Sequence, residues 1–128
     1  MGDPLIAREH ILAFSWSTAF ELNHITSTCL KINVFLSEMF KKKGIKLVDF
    51  KLEFGRLKKN SKSQIMLADE ISPDTCRLWD VVSKKKLDKD RFRKDLGNII
   101  QAYQEVAERL GIMREKDKIN ALTDESYL

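Results

Sequence analysis

The sequence predicts an α+β fold in which an antiparallel β-hairpin or small sheet is flanked by two long α-helices. Three observations predict it. Apolar residues recur at helical spacing over about residues 16–43, the period drops to two over 45–54, and helical spacing returns over about 88–110. At 128 residues, 43% of them hydrophobic, the chain is of single-domain size and can bury a core.

The first helix reads from Trp16 to Lys43, a stretch without proline or glycine, with Phe20, Ile25, Ile32, Phe35, Leu36, Met39 and Phe40 as its apolar residues and His24 flanking Ile25. Lys41, Lys42 and Lys43 followed by Gly44 form a stop, because cations suit the negative end of a helix and glycine suits a left-handed cap. In LVDFKLEFG, residues 47–55, alternation puts Val48, Phe50, Leu52 and Phe54 on one strand face and Asp49, Lys51 and Glu53 on the other. GRLKKNSKSQ then reads as a polar connection and QIMLAD as the second strand of a hairpin. SPDT, residues 72–75, has the chemistry of a type I turn. The last helix is predicted over about 88–110, with Leu96, Ile99, Ile100, Tyr103, Val106, Ala107 and Leu110 as its stripe. Asp88 or Asp90 is available as its N-cap, and Gly111 as its close. Residues 112–128 read as a polar tail.

Composition narrows the function classes. A net charge of +4 favours anionic partners but is too mild to single out nucleic acid, and the lysine runs 41–43 and 84–86 read as solvated faces. Cys29 and Cys76 stand apart with no metal or disulfide spacing, so both read as thiols; Cys76, beside Arg77, is placed for a lowered pKa, though nothing suggests catalysis by it. His10 and His24 lack ligand partners, and Trp16 and Trp79 read as packing residues. No apolar run is long enough to span a bilayer, and MGDPLIAREH lacks the basic start and apolar core of a signal, so a cytoplasmic protein with no membrane and no nucleic-acid partner is expected.

The chemistry concentrates between residues 49 and 93. Glu53 and Asp69 end the two expected strands, where their oxygens can hold a magnesium ion, with Lys51 on the same face for an anionic substrate group. The competing reading is plain surface charge, and residue spacing leaves both open.

LVDFKLEFG, then LADEISPDTCRLWD at 67–80, then KLDKDRFRKDLG at 86–97, followed by AYQEVAERLG and preceded by DPLI and EHILAFSW, resemble the SAICAR synthetases. The resemblance covers about residues 3–113 and is to the C-terminal half of the family, taken here as one segment, 3–111, that binds substrate and metal. The nucleotide-binding N-terminal half, with its basic phosphate-binding segment and substrate loop, has no counterpart. What the resemblance implies is an ATP-dependent ligase of purine biosynthesis, joining the carboxylate of CAIR to the amine of L-aspartate to give SAICAR, ADP and phosphate. It implies that Glu53 and Asp69 bind Mg2+ with the phosphates of ATP, that Asp49 and Lys51 face CAIR as catalytic residues, and that Asp74, Arg77 and Arg93 lie on the substrate side. The shortfall in length leaves a second reading, a catalytically silent remnant that keeps the fold as a binding or interaction module. Under the first reading the expected partners are the two small-molecule substrates and either an N-terminal half from another chain or a further copy of this one.

Overall fold

The computed structural model describes residues 4–59, 62–94 and 96–112. Among these the order is α1 (Arg8–Ala13), α2 (Ala19–Lys41), β1 (Ile45–Phe50), β2 (Glu53–Lys59), β3 (Lys62–Ala68), β4 (Cys76–Asp80), α3 (Asp90–Arg93) and α4 (Ile99–Leu110). This is the α+β class expected, with strands and helices segregated along the chain. They form two compact units. One takes in the chain through Val34 together with Leu52–Asp69; the other takes in Phe35–Lys51 and the chain from Glu70 onward.

In the first unit, α2 starts at Ala19 rather than Trp16 because Thr18 and Glu21 cap it reciprocally. The Glu21 amide donates to Thr18 Oγ1 at 3.2 Å, and the Thr18 amide donates to Glu21 Oε2 at 2.8 Å. Arg56, on β2, closes the same corner, its Nε donating to Glu21 Oε1 at 2.7 Å and its Nη2 to the Trp16 carbonyl at 2.7 Å. His10 has a local role, its Nδ1 accepting from the Ala7 amide at the start of α1.

The hairpin of this unit differs from the expected one. Strands β2 and β3 pair antiparallel from Glu53↔Ala68 to Lys59↔Lys62, so most of the expected polar connection is strand, and only Asn60 and Ser61 of it lie outside the described residues. Its lysines and serines hid it, since a two-stranded ribbon that is only partly covered, with Phe54 and Ile65 half-buried, does not require the full apolar alternation used to recognise a strand.

In the second unit, β1 pairs antiparallel with β4, Ile45 opposite Asp80 and Phe50 opposite Cys76. CRLWD was not anticipated as a strand: its run is five residues long and follows directly on the turn at Ser72–Thr75, which the Thr75 amide closes on the Ser72 carbonyl at 3.1 Å. The expected single strand 45–54 is therefore two strands with different partners, interrupted at Lys51 and Leu52. The register shifts between Leu47 and Asp49, so Val48 is the extra residue of a β-bulge and is 39% exposed instead of facing the core. Past the bulge the phase is restored: Phe50 turns inward and Asp49 outward.

The core of this unit is Leu36, Phe40, Ile45, Cys76, Leu78, Leu87, Ala102 and Val106. Gly44, at φ +68, ends α2 as anticipated. Phe35 and Phe20, assigned to the buried stripe of α2, are 66% and 82% exposed, because the covered face runs through Leu36 and Phe40. The expected helix over 88–110 is broken: Gly97 and Asn98 have positive φ, and α4 begins only at Ile99. Arg91, 9% exposed, satisfies the break, donating from Nε to the Gly97 carbonyl at 2.8 Å and from Nη2 to the Leu96 carbonyl at 3.0 Å. Asp88 does act as a cap, but for α3, its Oδ1 accepting from the Asp90 amide at 2.8 Å. Gly111 closes α4 in the left-handed conformation as expected. Residues 113–128 of the predicted tail lie outside the described residues.

Candidate active site

The two carboxylates singled out for magnesium both belong to the first unit. Glu53 opens β2 opposite Ala68, and Asp69 follows Ala68 directly, so both start from the same end of the hairpin. Were the ladder to continue, pleat alternation would send Asp69 to the face opposite Glu53. It does not continue: Asp69 sits at φ +73, a conformation that costs a non-glycine residue about 1 kcal/mol and that aspartate tolerates better than most. Among the described residues no group of three or more His, Cys, Asp or Glu side chains could hold a metal. Two carboxylates fit a hard divalent ion only if phosphate oxygens and water fill the other positions, which is the usual habit of magnesium.

Asp49, Lys51, Asp74, Arg77 and Arg93 belong to the second unit. The β-bulge at Val48 turns Asp49 toward its cross-strand partner Arg77, which donates from Nη1 to Asp49 Oδ2 at 2.5 Å. Arg77 Nε also lies 3.4 Å from Asp90 Oδ1. Asp90 is buried and is shared by Lys86 and Lys94, each at 3.3 Å. Burial pushes its carboxyl pKa up, but Lys86, Lys94 and Arg77 outweigh that, and the net shift is downward. Hydrogen bonding to Asp49, first, and the charge of Asp90 keep Arg77 firmly protonated. Lys51 is set by its backbone, its amide donating to the Thr75 carbonyl at 2.8 Å, with an exposed side chain.

Asp74 and Arg93 meet elsewhere in the same unit. With Lys89, Ile99 and Tyr103 they line a cleft of about 310 Å3. The Tyr103 hydroxyl donates to Asp74 Oδ1 at 2.5 Å, and burial together with that carboxylate raises the phenol pKa, so the proton stays on the tyrosine oxygen. Lys89 and Tyr103 were not among the residues singled out from sequence. Lys89 lies inside the quoted KLDKDRFRKDLG and stands one helical turn before Arg93, while Tyr103 had been read as one more apolar position of a helix stripe. A polar tip on a stripe residue is the signal that would have found it. Cys76 does not have the lowered pKa its neighbour suggested: it is fully buried, and desolvation raises it.

Residues 1–110 match the sequence model of the SAICAR synthetase family. The chain is 63% identical over 122 residues to the phosphoribosylaminoimidazole-succinocarboxamide synthase of Pelagibacter ubique, covering 95% of this chain and 47% of that protein. To the enzyme of the same name from Rhodospirillum centenum it is 57% identical over 115 residues, covering 90% of this chain and 45% of that one. Among solved structures, the synthase from Ehrlichia chaffeensis superposes with a TM-score of 0.83 at 56% identity, over 88% of this chain and 48% of that one. A SAICAR synthetase solved in complex with ADP superposes with a TM-score of 0.76 at 51% identity, over 84% and 45% of the two chains. The chain thus spans about half the length of the relatives it matches.

Proposed function

The chain belongs to the SAICAR synthetase family, and we propose that it supplies the C-terminal, substrate- and metal-binding part of a cytoplasmic, ATP-dependent ligase that joins CAIR and L-aspartate in purine biosynthesis. The observation that carries this reading is the family match over residues 1–110, which includes every site residue named above. Nucleotide as co-substrate is supported by the ADP complex of the related synthetase.

Each residue type suits its role. A carboxylate is a poor electrophile, so CAIR is first phosphorylated by ATP, and the aspartate amine then displaces phosphate from the acyl phosphate. Glu53 and Asp69 are the residues that would hold Mg2+, whose charge would screen the phosphates of ATP. Lys51 faces the CAIR carboxylate as a compact cation. Asp49 fixes Arg77 through their short ion pair, and Asp90 holds the same guanidinium from the other side, so the fork of donors is aimed before substrate arrives. All three substrates are anionic, and without such cations their mutual repulsion at low effective dielectric would oppose assembly by several kcal/mol.

Ligase assays with ATP, CAIR and L-aspartate test the proposal, run with the chain alone and with a polypeptide corresponding to the remaining part of the relatives. Turnover in the second arm is expected. Glu53→Gln and Asp69→Asn should abolish magnesium-dependent nucleotide binding while leaving the fold intact; unchanged nucleotide affinity refutes their role. Inactivity in both arms favours the silent binding module instead.

A further inference from the structure

We propose that the edge of β1 turned away from β4 docks an extended strand from the part of the synthetase that this chain does not span. The identity of the partner rests on the reading of the chain as one part of a ligase.

The two edges of the β1–β4 sheet are unlike. The outer edge of β4 is closed by the chain that follows it: the Asp80 amide donates to the Lys85 carbonyl at 2.9 Å, the Leu87 amide to the Leu78 carbonyl at 2.8 Å, and the Leu78 amide to Asp88 Oδ2 at 2.7 Å. Leu78 and Asp80 thus turn their backbone groups away from β1, and their cross-strand partners are Leu47 and Ile45. In an antiparallel ladder the bonded and non-bonded pairs alternate, so the backbone groups of Ile45 and Leu47 turn away from β4 while those of Lys46 turn toward it. Past the bulge the Lys51 amide donates to the Thr75 carbonyl at 2.8 Å, which sends the backbone groups of Phe50 outward as well. Among the described residues no strand pairs with this edge, and the sheet stops at two strands. Two-stranded sheets are marginal on their own, and an unpaired edge is a template for one more strand.

Beside β1 opens a hollow of about 300 Å3, lined by Ile45, Lys46 and Leu47 with Ser37 and Lys41 of α2 and by Val81 just past β4. An added strand gains affinity from the ladder and specificity from such a pocket, which here takes an apolar side chain against Leu47 and Val81. Two observations choose the occupant. The chain spans about half the length of its relatives, so a polypeptide of comparable size belongs with it in the whole enzyme. A second copy of this chain would bring its own bulge at Val48 into the same ladder, and two interruptions would then fall within a strand of six residues.

Hydrogen exchange read amide by amide tests the docking edge, with the chain alone and with a polypeptide corresponding to the part of the Pelagibacter ubique synthase outside the match. Alone, the Leu47 and Phe50 amides are expected to exchange faster than that of Lys46; with the polypeptide they should slow by about tenfold or more. Leu47→Pro removes an amide that points away from β4, so the β1–β4 ladder keeps its bonds while an added strand meets a ring in place of a donor. Val81→Asp places a charge in the hollow from an exposed side chain and keeps the test alive if Leu47→Pro loosens β4. Each should weaken the complex by about tenfold or more, whereas Val82→Asp, at an exposed position that does not line the hollow, should leave it unchanged. The proposal is overturned by slow exchange of Leu47 and Phe50 in the dilute chain alone, by protection that grows with the concentration of the chain without the polypeptide, by no protection on mixing, or by a complex indifferent to both variants. The ligase assay separates this failure from failure of the ligase reading. If the mixture turns over but the two amides stay unprotected, the docking edge is wrong and the function stands. If the edge is protected and both variants release the polypeptide but turnover never occurs, the edge stands and the ligase reading falls.

Discussion

The two compact units are built on different principles. Every residue below a tenth exposed among those described lies in the second unit, where Leu36, Phe40, Ile45, Cys76, Leu78 and Leu87 close around one core. In the first unit no described residue is buried that far: Leu22, Ile25, Phe54 and Ile65 are half-buried, Phe20 is 82% exposed and Leu67 47%. It is held at its corner by polar contacts, the Thr18–Glu21 cap and the ion pair from Arg56. A unit with a cap and a ladder but no fully buried apolar side chain among its described residues has less to resist local opening, because area removed from water supplies most of the stability of a fold.

Truncating matched leucines should break or establish this contrast most strongly. Leu87→Ala removes a fully buried side chain and is expected to destabilise the chain by about 2–5 kcal/mol. Leu67→Ala, at a position already half in water, should cost less than about 1 kcal/mol. Denaturant unfolding of both variants reads the difference. Equal losses would mean that Leu67 is covered in solution.

Polar burial gives a second, smaller test. Asp88 has no exposed surface, and its carboxylate accepts from the Leu78 amide at 2.7 Å and the Asp90 amide at 2.8 Å, so it stitches β4 to the start of α3. Asp88→Ala orphans both donors at about 1–3 kcal/mol each. Asp88→Asn, which keeps one acceptor oxygen, should recover part of the loss in the same unfolding assay. A variant as stable as the parent would show that water reaches those amides.

The same division explains what could be read from the sequence. Where burial is one-sided and apolar the pattern was plain: α2 with its lysine and Gly44 stop, the inward Phe50 and the Gly111 close of α4 all follow from periodicity and cap chemistry. Where polar residues fill a strand, as in β2 and β3, or where a strand is short and begins on a turn, as in β4, periodicity carries no signal. Two local decisions were also hidden. The bulge at Val48 takes one residue out of the alternation, and the left-handed pair Gly97 and Asn98 cuts a helix whose apolar stripe looks continuous. At the candidate site, Asp49 and Arg77 and the pair Asp74 and Arg93 could be named from their motifs. That each couple shares a place, and that Lys89 and Tyr103 join the second, depends on the β1–β4 ladder and the break before α4, which no local pattern encodes.

Acid separates the units by mechanism rather than by amount. Asp80 has its carboxyl pKa held well below the usual range, first by the Ser83 amide and hydroxyl and then by Arg109. Glu21 is held low first by Arg56 and then by the Thr18 amide. Both are depressed relative to the unfolded chain, so each contributes stability that is fully present above the ordinary carboxylate range, about pH 4, and is lost as the pH falls below it. Hydrogen exchange at decreasing pH should show both units loosening in the acid range; protection that rises on acidification would reverse the sign.

Salt should then tell them apart, and this is the smallest effect expected. The leading partner of Asp80 is a neutral amide at 2.6 Å, which ions do not screen, whereas the leading partner of Glu21 is a guanidinium whose side chain is 47% exposed. At high ionic strength the amides at the start of α2 and along β2 should exchange faster, while those of β4 and α4 hold their rates. Arg56→Gln should reproduce the high-salt pattern at low salt and make the first unit insensitive to further salt. If Arg56→Gln loosens β4 as much as β2, the two units do not open independently, and the contrast between a packed unit and one held by polar contacts fails on its own terms.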